Sequence, residues 1–234
     1  MLISVITVTY NALPSLKRTL QSVWEQTYPD VECIVVDGAS TDGTPEYLAT
    51  LKPSIPLFYT SAPDRGIYDA MNKAVEMVHG DYCIFLNAAD TFANPHVLAD
   101  VITQGLTADV VYGDILKKGN LIVAKEPHNS HKMYYCHQAV FTRTQCLREY
   151  PFDLNHPMSA DFKQSKQLFQ AGKTFRHIPV TITDYDVKGV SNVHRSKGLM
   201  DNIRVIREVD KVGDQLRLLP RLYFTYFMCK VRGK

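Results

Sequence analysis

The stretch ISVITVTY, at residues 3–10, decides the fold of this chain. It is an almost continuous run of β-branched residues, which is typical of a strand buried on both faces of a parallel sheet. A helical pattern with Leu16 and Leu20 on one face follows, and VECIVVD at residues 31–37 is a second strand of the same kind. Strands that alternate with helices predict an α/β fold, a mostly parallel sheet with helices on both faces.

The alternation continues with a helix at residues 67–78 and the strand YCIFL at residues 82–86. In open sheets of this type, ligands bind beyond the carboxyl ends of the strands. Three polar segments meet that condition, at residues 9–11, 37–42 and 87–90. We therefore expect the functional site to be built from these three loops.

The composition is that of an ordinary globular protein, with 234 residues, 45% of them hydrophobic, and a net charge of +2. None of the five cysteines forms a CxxC pair, which favours a reducing compartment. Met1 runs directly into the first strand, so a cleaved secretory signal is not expected. We predict one domain over residues 1–212 and a basic, amphipathic C-terminal segment over residues 213–234.

The segment DGASTDGT follows the second strand at residues 37–44. Its two glycines permit tight turns, and Asp37 can accept hydrogen bonds from a base or a ribose. The alternative is a glycine-rich turn that a carboxylate organises.

The segment SAPDRGIYDAMNKA, from residue 61 onward, adds a second polar cluster. Here Arg65 is suited to a phosphate, and Asp64 and Asn72 are suited to a nucleoside. The alternative is a solvated helix face, on which Asp69 and Lys73 form a pair four residues apart.

These motifs, together with GDYCIFLNAAD, CHQAVF and ADF, occur in an order and at separations that resemble family 2 glycosyltransferases. The likeness is greatest to the short enzymes of bacterial capsule, O-antigen and colanic acid assembly, and it covers residues 2–192. It implies a GT-A fold with a donor half at 1–115 and an acceptor half at 116–212. It also implies a nucleotide-diphosphate sugar donor, a divalent metal (Mg²⁺ or Mn²⁺) and an inverting single displacement.

The resemblance assigns a donor-binding role to the polar edge of the predicted sheet. The residues concerned are Thr9, Tyr10, Asn11, Asp37, Asp64, Arg65, Asn72, Asn87, Ala88 and Ala89. Asp90 falls in the motif that holds the metal, where many relatives carry two or three acidic residues. One carboxylate can suffice when substrate phosphates and water complete the shell. The alternative is that Asp90 caps the following helix.

Asp161 is the candidate general base, because similar enzymes carry a carboxylate at the start of this helix. A helix amino end also favours an Asp without any catalytic role. The resemblance places His137 and Gln138 on the acceptor side, and a hydrogen-bonded histidine in a partly buried wall is the alternative.

A loop over residues 185–198 is expected to close over the donor, with Lys188, His194 and Arg195 near the diphosphate. The segment at 213–234 combines aromatic and basic residues, which suits an anionic membrane surface. A docked helix, against the domain or a second subunit in a homodimer, is the alternative.

The sequence thus predicts an enzyme that moves a hexose or N-acetylhexosamine, UDP-linked by analogy, to a hydroxyl of a glycan. A polyprenyl-diphosphate-linked acceptor at the inner face of the cell membrane and a cytoplasmic location follow from the resemblance. No nucleic-acid partner is expected. The alternative is a catalytically inactive, nucleotide-sugar-binding scaffold.

Overall fold

The computed structural model describes residues 1–185 and 195–231, and the strands in these ranges form one sheet. The strands are β1 Ile3–Thr9, β2 Val31–Asp37, β3 Leu57–Ser61, β4 Tyr82–Phe85, β5 Thr91–Phe92, β6 Val110–Lys117, β7 Asn120–Ile122, β8 Val140–Arg143 and β9 Phe175–Tyr185. The helices are α1 Leu13–Trp24, α2 Thr44–Thr50, α3 Ile67–Met77, α4 Val97–Gln104, α5 Thr144–Glu149, α6 Ala160–Gln170, α7 Arg195–Val209 and α8 Val212–Val231. A 3-10 turn, His137–Ala139, precedes β8.

The strand order is β3-β2-β1-β4-β8-β6-β9-β5, and β7 pairs with β6. The first four strands are all parallel, as the alternation of strands and helices predicts. Beyond β4 the sheet is mixed, because β8 runs antiparallel to both β4 and β6. The parallel half therefore presents the carboxyl ends of β1, β2 and β4 along one edge.

Helices cover both faces of the sheet, which confirms the predicted architecture. Successive residues of a strand point to opposite faces. Val5 packs with Leu16 of α1, and neighbouring Ile6 packs with Met71 of α3 in a separate cluster. The first face also holds α2 and α4, and the second also holds α5 and the start of α6.

The last two helices, α7 and α8, pack together on α6 in a cluster of their own. Phe162 of α6 packs against Ile203 and Ile206 of α7 and against Leu218 and Leu222 of α8. Although α8 is 20 residues long, no helix in the described part of the chain has the length and apolar character to cross a bilayer.

Candidate active site

The three polar loops predicted to form the site meet at one edge of the sheet. Thr9 and Asp37 are opposite each other in the β1–β2 ladder. The Thr41 backbone NH donates to Asn11 Oδ1 at 2.8 Å, and the Ala88 backbone NH donates to the carbonyl oxygen of the residue before Thr9 at 3.3 Å. The loops after β1, β2 and β4 therefore form one continuous surface.

Each of these loops contains a non-glycine residue with a left-handed backbone. The φ angles are 46° at Asn11, 63° at Ala39 and 102° at Ala89. Only Lys118, in the β6–β7 turn, shares this property within the described residues. Such conformations cost roughly 1–3 kcal/mol and often accompany functional sites.

The Asp37 carboxylate is fully buried and organises the loop after β2. It accepts hydrogen bonds from the Ser40 backbone NH at 3.0 Å and from the Ser61 hydroxyl at 2.6 Å. The Ser40 hydroxyl also donates to it. These contacts match the alternative of a carboxylate that organises a turn, and binding of a base by Asp37 stays a prediction.

Gly38 allows Tyr10 and Asp64 to approach the same spot beside β2. A Cβ atom on Gly38 would lie 2.6 Å from Asp64 Oδ2 and 3.2 Å from the Tyr10 ring. Asp64 is held in place because its Oδ1 accepts from the Gly66 backbone NH at 2.8 Å. Tyr10 leaves 66% of its surface exposed, so its ring is available to a flat ligand.

Arg65 is engaged in a local ion pair at the start of α3. Its guanidinium lies 3.0 Å from Asp69, which Lys73 contacts at 3.0 Å from the other side. Burial alone would raise the pKa of Asp69, but hydrogen bonds from Lys73 and Arg65 outweigh it and lower that pKa to about 2. The pairing is the one expected of a plain helix face, and contact of Arg65 with a phosphate stays a prediction.

Asn72 uses both ends of its amide to hold the loop before α6. Its Nδ2 donates to the Phe152 carbonyl at 2.8 Å, and its Oδ1 accepts from the Phe152 backbone NH at 2.9 Å. The structure thus gives Asn72 a role in joining α3 to the loop before α6. Its predicted contact with the ribose remains untested.

The segment Asn87 to Asp90 forms a tight turn braced by Thr19 of α1. The Asp90 backbone NH donates to the Asn87 carbonyl at 3.0 Å, and the Thr19 hydroxyl donates to the Asp90 carbonyl at 2.8 Å. Ala88 packs against the main core, so a carboxylate at this position would be partly buried. Asp90 is 5% exposed, and its carboxylate is the acidic group of this turn.

Three buried polar atoms at this edge have no hydrogen-bond partner among the described residues: Thr9 Oγ1, Asn87 Oδ1 and His137 Nε2. The His137 ring stacks on Phe85 at the end of β4, with 5.2 Å between centroids. Unpaired buried polar groups are rare and costly. A ligand bound at this edge could supply the missing partners.

His137 therefore differs from the hydrogen-bonded wall histidine that the sequence left as an alternative. Burial lowers its pKa, although the nearby Asp161 carboxylate opposes that effect. The ring is accordingly neutral at pH 7, with one nitrogen that can accept or donate. Gln138 faces inward, and its Oε1 accepts from the Cys136 thiol at 3.0 Å.

Asp161 lies in the first turn of α6, and the hydrogen bonds that it accepts from the described residues go to one of its two carboxylate oxygens. The Tyr68 hydroxyl and the Phe162 backbone NH both donate to Oδ1 at 2.8 Å. Burial raises the pKa of Tyr68 well above its usual range, so its hydroxyl remains a donor. Within the described residues, Oδ2 is the atom that can take a proton. Tyr68 is 93 residues away in sequence, and no spacing signal could have identified it.

The charges of two candidate functional carboxylates, Asp90 and Asp161, both act on the Cys136 thiol. Burial raises the pKa of the Cys136 thiol to about 12, and the charges of Asp90 and Asp161 add to this rise. Cys136 immediately precedes the 3-10 turn with His137. The candidate metal ligand and the candidate base are 71 residues apart in sequence, yet the charges of both act on Cys136.

Two of the predicted loop residues near the diphosphate, Lys188 and His194, lie outside the described residues. Arg195 is the first residue of α7. Their contact with a donor stays a prediction.

The residues of the 87–90 turn suit a hard divalent cation. Carboxylate and amide oxygens are the ligands that Mg²⁺ and Mn²⁺ prefer, and Asn87 Oδ1 is buried without a partner three residues before Asp90. A second acidic cluster does not suit a metal. There, the Lys163 ammonium contacts both Asp153 and Glu208 at 2.6 Å, so a lysine already supplies the positive charge.

Comparison with known proteins identifies the family of this chain. Residues 4–167 match the family described as glycosyl transferase family 2. An uncharacterised glycosyltransferase of Mycobacterium tuberculosis is 29% identical over 235 residues, covering 93% of this chain and 85% of the relative.

Solved structures show the same fold. TarS 1–349 of S. aureus, in complex with UDP-GlcNAc, has a TM-score of 0.71 at 18% identity, covering 90% of this chain and 68% of that one. The mannosyltransferase PcManGT of Pyrobaculum calidifontis, in complex with GDP-Man and Mn²⁺, has a TM-score of 0.70 at 20% identity, covering 88% and 63%. The fold is thus of the GT-A type. Since the family match spans well over half of the sequence, this chain is a glycosyltransferase and belongs to family 2.

Proposed function

We propose that this glycosyltransferase moves a hexose or N-acetylhexosamine from a UDP-linked donor to a hydroxyl of a glycan, with inversion at the anomeric carbon. The donor half is residues 1–115 and the acceptor half is residues 116–212. The acceptor is a sugar on a polyprenyl diphosphate in bacterial surface polysaccharide assembly, as the resemblance implies.

One observation carries this proposal: Thr9 Oγ1, Asn87 Oδ1 and His137 Nε2 are buried and have no hydrogen-bond partner in the part of the chain that the structure describes. A sugar diphosphate offers hydroxyl groups and oxyanions that would pair with them. Tyr10 and Asp64, which flank Gly38, extend the same edge toward the nucleoside. The donor would then lie across the ends of β2, β1 and β4.

Asp161 is the proposed base. The acceptor oxygen attacks the anomeric carbon and forms the new glycosidic bond, while the bond from that carbon to the β-phosphate oxygen breaks and the nucleoside diphosphate leaves. The hydroxyl proton goes to Asp161 Oδ2, because Oδ1 already accepts from Tyr68 and the Phe162 backbone. The Tyr68 bond also fixes the direction of the carboxylate.

A divalent metal is part of the proposal, with Asp90 as its protein ligand and Asn87 Oδ1 beside it. Such an ion would stabilise the negative charge on the departing diphosphate. The donor-bound structure of PcManGT contains Mn²⁺, and at 20% identity this supports the class of cofactor without identifying the ion.

The experiment that tests the proposal combines calorimetry with a product assay. Purified full chain is titrated with UDP in Mg²⁺, in Mn²⁺ and with a chelator, and a panel of nucleotide sugars is screened by release of nucleoside diphosphate. We expect metal-dependent UDP binding and release that rises with an acceptor. UDP binding without transfer to any acceptor would instead favour the inactive scaffold, and tighter binding of another nucleotide would replace UDP as the carrier.

A further inference from the structure

The C-terminal helix α8 has apolar residues on two opposite faces. Leu218 and Leu222 pack on α6 and α7. The opposite face, here named the outer face, lies in solvent and has residues spaced by three or four positions, on one side of a helix. Its members are Val212, Leu216, Pro220, Tyr223, Phe224, Phe227 and Val231. Leu216, Phe224, Phe227 and Val231 leave 63–74% of their surface exposed.

A contiguous exposed stripe of this kind marks an interaction surface, whereas single exposed apolar residues need no explanation. By helical spacing, cations border the stripe on both sides. Arg217 and Arg221 follow one edge, and Lys230 lies on the other. On that second side, the Arg207 guanidinium of α7 lies 5.7 Å from the Tyr223 ring. An apolar strip flanked by cations is typical of helices that lie in a membrane interface.

A positively charged cavity adjoins the outer face. The loop at residues 157–158 encloses a volume of about 310 Å³ together with α7 and α8, and the cations in its lining are Lys197, Arg204 and Lys230. Its one acid, Asp201, already pairs with Arg204 and with His156. Because Lys230 both lines the cavity and borders the outer face, one amphiphilic ligand with an anionic head can contact both.

The distribution of charge argues against a second copy of this chain as the partner. Residues 195–234 hold ten Lys and Arg against four Asp and Glu, whereas residues 1–194 hold sixteen against twenty. A symmetric dimer through the outer face would bring two segments of net charge +6 together. An anionic surface meets the same segment with favourable electrostatics.

We propose that the outer face of α8 lies in the interfacial layer of an anionic lipid bilayer, with a lipid phosphate in the adjoining cavity. The apolar side chains enter the headgroup and acyl boundary, and the flanking cations contact phosphates. The helix axis runs along the surface and does not cross the bilayer. The outer face uses no residue assigned to the donor or the acceptor, so its variants test this proposal separately from the proposed function. Of the cavity cations, Lys197 lies in the 185–198 segment expected to close over the donor.

The test is cosedimentation of the full chain with vesicles of phosphatidylcholine containing about one third phosphatidylglycerol. We expect binding that weakens about tenfold or more on phosphatidylcholine alone or in about 0.5 M salt. The double variant Phe224→Ser and Phe227→Ser should lose binding to a similar extent. The matched control, Leu121→Ser with Ile122→Ser, changes residues of β7 that are 55% and 47% exposed and should bind normally.

Two double variants that change the net charge by the same amount test the contribution of charge. Arg221→Glu with Lys230→Glu should weaken vesicle binding about tenfold or more, whereas Lys52→Glu with Lys118→Glu should not. Equal binding by both pairs would overturn the proposal. The proposal would also be overturned if the parent chain did not bind vesicles and formed a dimer in light scattering that the phenylalanine variants dissociate.

The cavity has its own test. Lys197→Glu should weaken binding to the anionic vesicles, and inorganic phosphate should not compete with them. Unchanged binding by Lys197→Glu would show that the cavity does not bind a lipid phosphate. Competition by inorganic phosphate would show that the cavity takes a free anion, which would also contradict the lipid assignment.

Discussion

Two polar clusters in this protein differ in how completely their members are paired. Around His156, every charged group has a partner: Nδ1 lies 3.0 Å from Asp201, Nε2 lies 2.9 Å from Glu208, and Lys163 contacts Glu208 and Asp153. The edge of the sheet instead has three left-handed residues and three buried polar atoms that lack a partner within residues 1–185 and 195–231. Both clusters contain acids and a histidine, so composition alone does not distinguish them.

The difference shows that the pairing of polar groups, and not the residue types, distinguishes the structural cluster from the candidate functional one. A satisfied network joins the loop before α6 to α7 and stabilises the fold. An unsatisfied edge is retained at a cost in stability, which binding of a ligand would offset. Substitutions in the two clusters should therefore have opposite effects on stability and on activity.

The largest effect is expected for Asp161→Asn, which should lower kcat by about 10²–10⁴-fold while donor binding stays nearly intact. The amide cannot take the hydroxyl proton. Transfer assays and calorimetry on the same preparation measure both quantities. Tyr68→Phe is the graded control, expected to cost roughly tenfold because it removes only the hydrogen bond to Oδ1. Near-normal turnover of Asp161→Asn would remove Asp161 from the base role.

In the paired cluster, Lys163→Met should lower the free energy of unfolding by about 1.5–3 kcal/mol, because Asp153 and Glu208 lose a charged partner. Donor affinity and kcat, measured well below the melting temperature, should be unchanged. Urea denaturation followed by circular dichroism gives the stability. A loss of activity without a loss of stability would contradict the structural role assigned to the cluster around His156.

Asp90→Ala should weaken donor binding roughly tenfold in Mg²⁺ or Mn²⁺. In the presence of a chelator, the variant and the parent chain should bind the donor alike. Asp114→Ala is a matched control, because this buried carboxylate pairs with His177 at 2.8 Å and is not part of the three loops. Unchanged metal dependence in Asp90→Ala would show that the ligand lies elsewhere.

Thr9→Val replaces an unpaired buried hydroxyl by a methyl group of nearly the same shape. Donor affinity should fall several-fold, while the free energy of unfolding should stay equal or rise by up to about 1 kcal/mol. Thr142→Val is the control on β8, a second buried strand threonine. A clear loss of stability in Thr9→Val would mean that the hydroxyl is paired in the folded protein.

The smallest effect concerns pH. The lowered pKa of His137 means that the unfolded chain binds a proton more readily than the folded one, so stability falls as pH drops below the ordinary value of 6.5. His137→Phe keeps a ring against Phe85 and removes this titration. The fall in melting temperature between neutral and mildly acidic pH should be smaller in the variant. An equal fall would show that His137 is not desolvated.

The sequence by itself determined the parallel half of the sheet and its edge. The runs at 3–10 and 31–37 are mostly apolar and rich in β-branched residues, a pattern typical of strands covered by helices on both sides. Because parallel strands end at a common edge, the meeting of the loops at 9–11, 37–42 and 87–90 followed from the pattern of elements alone. The family followed from the ordered motifs.

Only the tertiary structure decided how each polar side chain is used. Asn72 holds Phe152, which is 80 residues away in the sequence, and Arg65 pairs with Asp69. Tyr68 reaches Asp161 across 93 residues, and its role depends on burial. The physical reason is that a strand or a helix is set by the spacing of neighbours in the chain, whereas a hydrogen bond or a pKa is set by whatever folding brings within about 3 Å.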